Sequence, residues 1–452
     1  MLPTENECRR ITQRALNFTA ADDASVGLSF GRGSHARSTT REPLASGVTQ
    51  SVSVWARVTK DGRTGRVSLN ETTDAALEKA MRRAEELAAV LPPDPESMGP
   101  IPPQKYLTIR AEDPATATAK AADRMSRVSK VLGPAAMENM DARGFFAAGG
   151  SVQCTANKAG NFGYHRATNA WFSATARTAD GTGSGWAEDS SFRIKDIDAV
   201  GLAATALRKA RQSAKPRRLD PGDYTVIFEP AAVADLIGFN IAGALSARAV
   251  EEGRSYFSKQ GGGSMVGEKV FHESVTMKSD PLDKRRPGSP WGFGGGGVGG
   301  GFNGGGEGGL ASAPITWVEN GVLKNLIYDR YWAKQVGREP TPGAGNFVLE
   351  GGQETLASLI ASTERGLLVT HFWYIRVVDP QTLQLTGVTR DGMWLIENGK
   401  IAYPVMNFRF NESPAVLLNN VLGMTPAVRT GNSVVPAIKA AKFTFSSLSD
   451  AV

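Results

Sequence analysis

Two asparagine-glycine turns constrain the second half of this chain more than any other feature. Thr316–Tyr328 and Met393–Tyr403 each place Asn-Gly between two arms rich in apolar residues. Asn-Gly suits the tight turns that join antiparallel strands, so each segment predicts a β-hairpin. Between them, Gly366–Val378 is long, bulky and β-branched, which is typical of a central strand. The second half is therefore predicted to be mostly strand.

The first half alternates predicted helices and short strands. Its clearest helix covers Thr73–Val90, where apolar residues recur every three or four positions. This stripe consists of Leu77, Met81, Ala84, Ala88 and Leu91. Further helices are predicted over Glu5–Leu16, Pro114–Val131 and Ile197–Ala214, and a β-meander between the last two.

The basic, proline-containing segment Lys215–Pro221 is the predicted linker between two domains. We expect an N-terminal α+β domain over residues 1–215 and a β-rich, peptidase-like domain over residues 216–452. A glycine-rich stretch over residues 291–310 interrupts the second domain. Glycine at this density buries no side chains, so we interpret the stretch as a surface loop inserted into the domain.

Composition excludes several classes of partner. The 452 residues carry a net charge of +6, from 51 basic and 45 acidic residues. This excess is small for the length, and the basic clusters Lys215–Arg218 and Lys284–Arg286 have no interleaved aromatic residues, so we expect no direct nucleic-acid partner. The chain has no apolar run of about eighteen residues, so we expect no membrane partner. The N-terminal residues lack an apolar signal core, and the only cysteines, Cys8 and Cys154, imply no disulfide framework; both favour a cytoplasmic protein.

Four segments of the second half match a known family in order and spacing: Ser246–Tyr256, Glu319–Lys324, Tyr328–Ala333 and Leu395–Ile401. Together with Phe30–Arg37 near the N-terminus, they resemble the TldD/PmbA family, also called the modulators of DNA gyrase. The resemblance implies a two-domain α+β fold. Its N-terminal domain is α/β, and its C-terminal domain is a mostly antiparallel, barrel-like β domain around a central cleft. Two chains dimerise to enclose the cleft; one carries zinc and cuts unfolded peptides, and the other lacks the ligands.

The zinc motif of this family is degenerate here. In metal-dependent members, a helix carries His-Glu-x-x-x-His and a cysteine near the C-terminus completes the site. The strand Asp223–Phe228 leads into the corresponding helix, where the motif positions hold Pro230, Ala231 and Asp235. Ala427 stands in place of the cysteine. Since zinc requires several converging donor atoms, we expect this chain to bind no metal or other cofactor, and zinc to lie in a TldD-like partner.

One strand offers candidate contacts for a bound peptide. Alternation along Thr370–Arg376 predicts that His371, Trp373 and Ile375 share one face of the strand. By the family resemblance, this strand lines the cleft. His371 is then either a core histidine with satisfied hydrogen bonds or, together with Trp373 and Ile375, a contact for peptide.

Three functions remain open. The first is a non-catalytic, PmbA/TldE-like subunit of a TldD-type metallopeptidase complex that acts on unfolded or extended peptides, with a TldD-like subunit as partner. The second is a stand-alone, homodimeric peptide-binding protein without peptidase activity. The third is an active hydrolase with an unorthodox site built from Asp235 and His371, for which one carboxylate and one imidazole are a poor ligand set.

Overall fold

The N-terminal half is built on one antiparallel sheet, seen in a computed structural model that describes residues 2–40, 42–292, 309–343 and 345–450. Its strands are β1 (Asp23–Thr39), β2 (Pro43–Lys60), β3 (Arg63–Leu69), β4 (Asp141–Asn157), β5 (Phe162–Arg177) and β6 (Ser184–Ser191). They lie in the order β3-β2-β1-β4-β5-β6. Asp61 and Gly62 form the β2–β3 turn with positive φ angles of 51° and 73°.

Helices cover this sheet and form two apolar cores with it. They are α1 (Glu5–Asn17), α2 (Asp74–Val90), α3 (Pro114–Ala117), α4 (Ala121–Met137) and α5 (Ala199–Gln212), with a 3₁₀ turn at Ile194–Asp196. Leu77 and Met81 of α2 are buried as predicted, but Leu91 is 40% exposed because the helix ends at Val90. The single helix predicted over Pro114–Val131 is wrong, since extended backbone at Lys120 separates α3 from α4.

The C-terminal half contains a closed barrel. Its strands are β7 (Gly222–Phe228), β12 (Arg365–Asp379), β13 (Gln384–Glu397), β15 (Phe408–Glu412) and β19 (Ile438–Leu448). β12 pairs in parallel with β7 and antiparallel with β13, which closes the circle and confirms the predicted central strand. β14 (Lys400–Pro404) extends β13, and β16 (Val421–Met424) pairs with β19. Phe228, Phe372, Phe410 and Phe443 pack edge to face or tilted in the core.

A second sheet and several helices complete the described part of this half. The sheet consists of β8 (Met277–Ser279), β9 (Ile315–Glu319), β10 (Val322–Leu323), β11 (Phe347–Leu349), β17 (Val428–Thr430) and β18 (Ser433–Val435). The helices are α6 (Pro230–Ala244), α7 (Ala247–Glu251), α8 (Arg330–Gln335), α9 (Leu356–Ala361) and α10 (Pro414–Asn419). Asn320-Gly321 and Asn398-Gly399 turn with positive φ at all four residues, so both predicted hairpins are confirmed. Of the predicted glycine-rich loop, residues 293–308 lie outside the described residues.

The two halves meet over a broad polar contact. Arg429 pairs with Asp189 at 2.8 Å, and Lys209 of α5 pairs with Glu229 at the start of α6. The Trp394 indole donates to the Gln212 carbonyl at 3.0 Å. The predicted domain boundary after residue 215 lies between α5 and β7 and stays a prediction. In the part of the chain that is described, no helix is long and apolar enough to cross a membrane.

Gly185 permits the close approach of β6 and α5. A Cβ at this residue would lie 2.1 Å from the Ala206 carbonyl oxygen and 2.4 Å from the Ala210 nitrogen. We therefore expect Gly185→Ala to destabilise the protein by about 2–4 kcal/mol, measured by chemical denaturation. Gly238→Ala in α6 is the control, since its Cβ would meet nothing within 4 Å outside its own helix, and it should stabilise by about 0.5–1 kcal/mol. Equal stability of Gly185→Ala and the unsubstituted protein would contradict this packing.

Candidate functional site

The first turn of α6 offers no metal ligands. β7 ends at Phe228, and Glu229 is the extended N-cap residue of the helix. Pro230 is the first helical residue, where its missing N–H costs no hydrogen bond. Pro230 and Ala231 carry no side-chain donor atom, so these two positions cannot bind zinc.

Asp235, one turn further along α6, faces strand β12. Its Oδ2 accepts a hydrogen bond of 2.9 Å from the Phe372 N–H and lies 3.9 Å from His371 Nδ1. Burial raises the pKa of the Asp235 carboxyl to about 6, although the nearby His371 and the Phe372 N–H act in the opposite direction. A carboxyl with such a pKa changes its charge near neutral pH.

His371 is held between the two halves of the molecule. Its ring is buried, stacks on Trp186 of β6 with ring centres 4.3 Å apart, and places Nε2 2.9 Å from Asp391 Oδ2. Nδ1 lies 3.1 Å from the Phe372 carbonyl oxygen. Both ring nitrogens lie within hydrogen-bond distance of an oxygen, so the ring is held in one orientation. This environment matches the interpretation of His371 as a core histidine.

Asp391 links His371 to the N-terminal half. The Ser184 hydroxyl of β6 donates to Asp391 Oδ1. Burial acts to raise the pKa of Asp391, but the hydrogen bonds from His371 and Ser184 outweigh it and hold this pKa below its ordinary value. Asp391 therefore stays ionised beside the imidazole at neutral pH.

A third carboxyl group, Glu188, lies on β6 near Asp235. Burial raises the pKa of Glu188. The Trp171 indole donates a hydrogen bond of 3.0 Å to Glu188 Oε2, which acts to lower this pKa but does not outweigh burial. The charge of Glu188 in turn contributes to the raised pKa of Asp235. The candidate site thus brings together β6, α6, β12 and β13 at the contact between the two halves.

The predicted common face of His371, Trp373 and Ile375 is wrong. His371 and Ile375 are buried, whereas the Trp373 side chain is 53% exposed and lies below the Arg390 guanidinium. The β12–β13 register shifts between Val369 and His371 and again between Trp373 and Arg376, and Tyr374 takes a positive φ of 57°. This β-bulge breaks the alternation, so Ile375 packs in the barrel core beside Phe372.

The position of the family's cysteine lies near the helix but offers no ligand. Ala427 directly precedes β17, and α6 packs beside β17 and β18. Asp235 and His371 do meet, as the hydrolase hypothesis requires, yet His371 is engaged by Asp391. Over the described ranges, no group of three or more His, Cys, Asp or Glu residues is arranged to hold a metal ion. The residues at this site therefore do not fit a zinc ion.

Sequence reasoning missed four members of the site: Ser184, Trp186, Glu188 and Asp391. One signal was available, because Arg390-Asp391 lies just before the apolar run Met393–Ile396, and a charged residue in a buried strand requires a partner. Nothing in the β6 sequence indicates that its side chains reach the other half of the chain.

Comparison with known proteins identifies the fold. The sequence model described as the PmbA/TldA metallopeptidase C-terminal domain matches residues 221–447, and that of domain 1 matches residues 24–88. TldE from Thermococcus kodakarensis superposes with a TM-score of 0.81 at 18% identity, covering 97% of this chain and 99% of that one. A candidate modulator of DNA gyrase from Bacteroides thetaiotaomicron gives a TM-score of 0.82 at 21% identity, covering 98% and 99%.

A sequence relative is an uncharacterized protein of Methanocaldococcus jannaschii, which is 28% identical over 151 residues. The match spans 33% of this chain and 31% of the relative. Fold and family-model matches together define a protein of the metallopeptidase-like class, with a mixed α+β fold and a barrel-like sheet. The chain belongs to the PmbA/TldD family.

The raised pKa of Asp235 predicts a pH-dependent effect of Asp235→Asn. The folded-state pKa of about 6 exceeds the ordinary value of 3.8, so the contribution of this group to stability is complete below about pH 4 and is lost as pH rises through 6. Asparagine does not ionise and avoids this loss. We expect the variant to be more stable than the unsubstituted protein by about 1–2 kcal/mol at pH 8, allowing for the partial exposure of Asp235.

The difference in stability between Asp235→Asn and the unsubstituted protein should shrink towards zero at pH 4. Denaturation curves recorded between pH 4 and 8 measure this difference. Asp283→Asn is a useful comparison, because the pKa of Asp283 is lowered on balance, by hydrogen bonds from Arg285 that outweigh burial. Its pH dependence should have the opposite sign. A stabilisation by Asp235→Asn that grows towards acidic pH would contradict the assignment.

Proposed function

We propose that this chain is a non-catalytic, PmbA/TldE-like subunit of a TldD-type metallopeptidase complex that acts on unfolded peptides. The observation that carries the proposal is the α6 motif. Here Pro230, Ala231 and Asp235 replace the residues that bind zinc and activate water in metal-dependent members. Ala427 stands where the remaining ligand, a cysteine, would be. Zinc chemistry would then be supplied by a TldD-like partner, and this chain would contribute binding surface.

The binding surface we propose is the end of β12 next to Asp235. Trp373 is exposed there and carries an arginine over its ring, so it offers a large apolar and aromatic contact. Because His371 and Ile375 are buried, their role is to fix the strand that presents Trp373. Asp235 accepts a hydrogen bond from the neighbouring Phe372 N–H and so adds a carboxyl group to this part of β12, which suits a polar or cationic group of an extended peptide.

A stand-alone peptide-binding homodimer is the second candidate. It is favoured by the outer edge of β12 beyond Val369, with which β7 does not pair and no other described strand except β13 pairs. Under both candidates this chain binds peptide and does not cut it, so the same assay tests the shared claim.

Binding and cleavage of fluorescently labelled casein, an unfolded polypeptide, test the proposal. We expect the purified full chain to bind casein by fluorescence anisotropy and to leave it intact when zinc is added. Trp373→Ala should weaken binding by about tenfold, since a central aromatic contact is lost. Trp55→Ala is the matched control, because Trp55 is 49% exposed on the N-terminal sheet, and it should bind normally. Cleavage by this chain that a chelator abolishes would refute the proposal.

A further inference from the structure

Both cysteines of the chain face the same apolar core. Cys8 lies on α1, on the buried side that it shares with Thr12 and Ala15, and its side chain is fully buried. Cys154 lies near the end of β4 and is also buried. The two side chains belong to the core that α1 and α2 form with one face of the N-terminal sheet. Folding therefore brings together two thiols that lie far apart in sequence.

Neighbouring contacts hold α1 above this part of β4. The helix packs on β1, β4 and β5. Cys154 lies opposite Tyr164 of β5, and the Tyr164 hydroxyl donates a hydrogen bond of 3.0 Å to the Pro3 carbonyl, just before α1. The Arg9 guanidinium, in the first turns of α1, lies 3.9 Å from the centre of the Phe162 ring at the start of β5. These contacts place the first turns of α1 over the segment of the sheet that carries Cys154.

The two thiols are bonded to each other and are not chemically equivalent. The Cys154 thiol donates a hydrogen bond to the Cys8 sulfur, and this bond lowers the pKa of Cys8 although burial acts in the opposite direction. The same bond, together with burial, raises the pKa of Cys154. Because the thiolate is the reacting form of cysteine, the more readily ionised Cys8 is the attacking sulfur. Cys154 is the adjacent thiol that resolves its oxidised product.

We propose that Cys8 and Cys154 are a peroxide-sensitive thiol pair, which hydrogen peroxide converts into a reversible disulfide between α1 and β4. The Cys8 thiolate attacks one peroxide oxygen, the O–O bond breaks, and the departing hydroxide takes up the thiol proton to become water. Cys8 is left as a sulfenic acid. The Cys154 sulfur then attacks the Cys8 sulfur, the S–O bond breaks, and the hydroxyl leaves as water with the Cys154 proton. Two thiols are oxidised to one disulfide, and one peroxide is reduced to two waters.

Local opening of α1 gives peroxide access to the buried pair. The helix is covered on its sheet side, whereas its outer side carries exposed charged residues, among them Glu5, Arg9 and Arg10. A single helix at the surface of a domain opens at a lower free energy than the whole domain unfolds, and peroxide is small enough to need little space. A reversible disulfide of this kind is compatible with a reducing compartment. The inference is independent of the proposed function.

Peroxide treatment of the purified full chain tests the thiol pair. We expect the free thiols to fall from two per chain to none, with a loss of mass equal to two hydrogen atoms. Peptide mapping at acidic pH, where thiolates are scarce and exchange is slow, should find the Cys8 peptide joined to the Cys154 peptide. Dithiothreitol should then restore both thiols.

Single-cysteine variants provide the matched controls. Cys8→Ala and Cys154→Ala should form no disulfide within the chain. In Cys154→Ala, nothing resolves the oxidised Cys8, so dimedone, which reacts with sulfenic acids, should label this residue. Circular dichroism of each variant reports whether it is folded, and the peptide map of the unsubstituted chain decides the question without them.

Trypsin cleavage within α1, after Arg9, Arg10 or Arg14, measures what the disulfide does to the structure. Cleavage requires α1 to leave the sheet, and a disulfide to β4 opposes this opening. The oxidised chain should therefore be cut in α1 at least about tenfold more slowly than the reduced chain. Peroxide should not change this rate in Cys154→Ala, which cannot close the disulfide.

Several results would overturn the inference while leaving the proposed function intact. Two free thiols after treatment with excess peroxide would refute the thiol pair, as would a disulfide between separate chains. Separate oxidation of the two sulfurs without a bond between them would also refute it. Equal cleavage of α1 in the oxidised and reduced chains would show that the disulfide does not clamp the helix.

Discussion

The contact between His371 and Asp391 determines the geometry of the candidate site. It ties neighbouring strands β12 and β13 together at 2.9 Å, and the Ser184 hydroxyl and the Trp186 ring extend it to the N-terminal sheet. A buried carboxylate is tolerable only with partners, and Asp391 has a charged or polar partner on each oxygen. Through this contact, β6 of the first half and β12 of the second half are held at fixed positions around Asp235.

The loss of the zinc motif has a consequence beyond missing ligands. In place of a histidine, α6 presents Asp235, a carboxyl that lies beside Glu188 in a poorly solvated setting. Burial is the main reason why the pKa of Asp235 is raised to about 6, and the charge of Glu188 contributes a smaller part. The site has therefore become a cluster of carboxyl groups around a fixed imidazole, which suits binding and positioning and provides no metal centre.

Much of the fold was predictable because local sequence specifies it. The Asn320-Gly321 and Asn398-Gly399 turns need positive φ, and asparagine and glycine supply it, so the hairpins follow from the sequence alone. The helix α2 follows from its apolar stripe in the same way. The break at Lys120 was not predictable, since alanine-rich sequence on both sides favours helix and only the C-cap at Thr118 and the extended backbone at Lys120 separate the two.

The site was predictable only in part. The substitutions at Pro230, Ala231 and Asp235 could be placed by family resemblance, and Asp235 does lie beside His371. The β-bulge at Tyr374 could not be foreseen, because nothing in Trp373-Tyr374-Ile375 departs from a regular strand. The partners Ser184 and Glu188 come from more than 180 residues away in sequence from His371, and such tertiary contacts leave no local pattern.

Zinc binding by the purified chain tests the absence of a metal centre most directly. After exposure to zinc and dialysis against metal-free buffer, mass spectrometric metal analysis should find far less than one zinc per chain. A variant that combines Pro230→His, Ala231→Glu, Asp235→His and Ala427→Cys restores the family's ligand set and shows whether the assay detects a site on this scaffold. One zinc retained by each unsubstituted chain would contradict the account, since it would require a metal site that these residues cannot form.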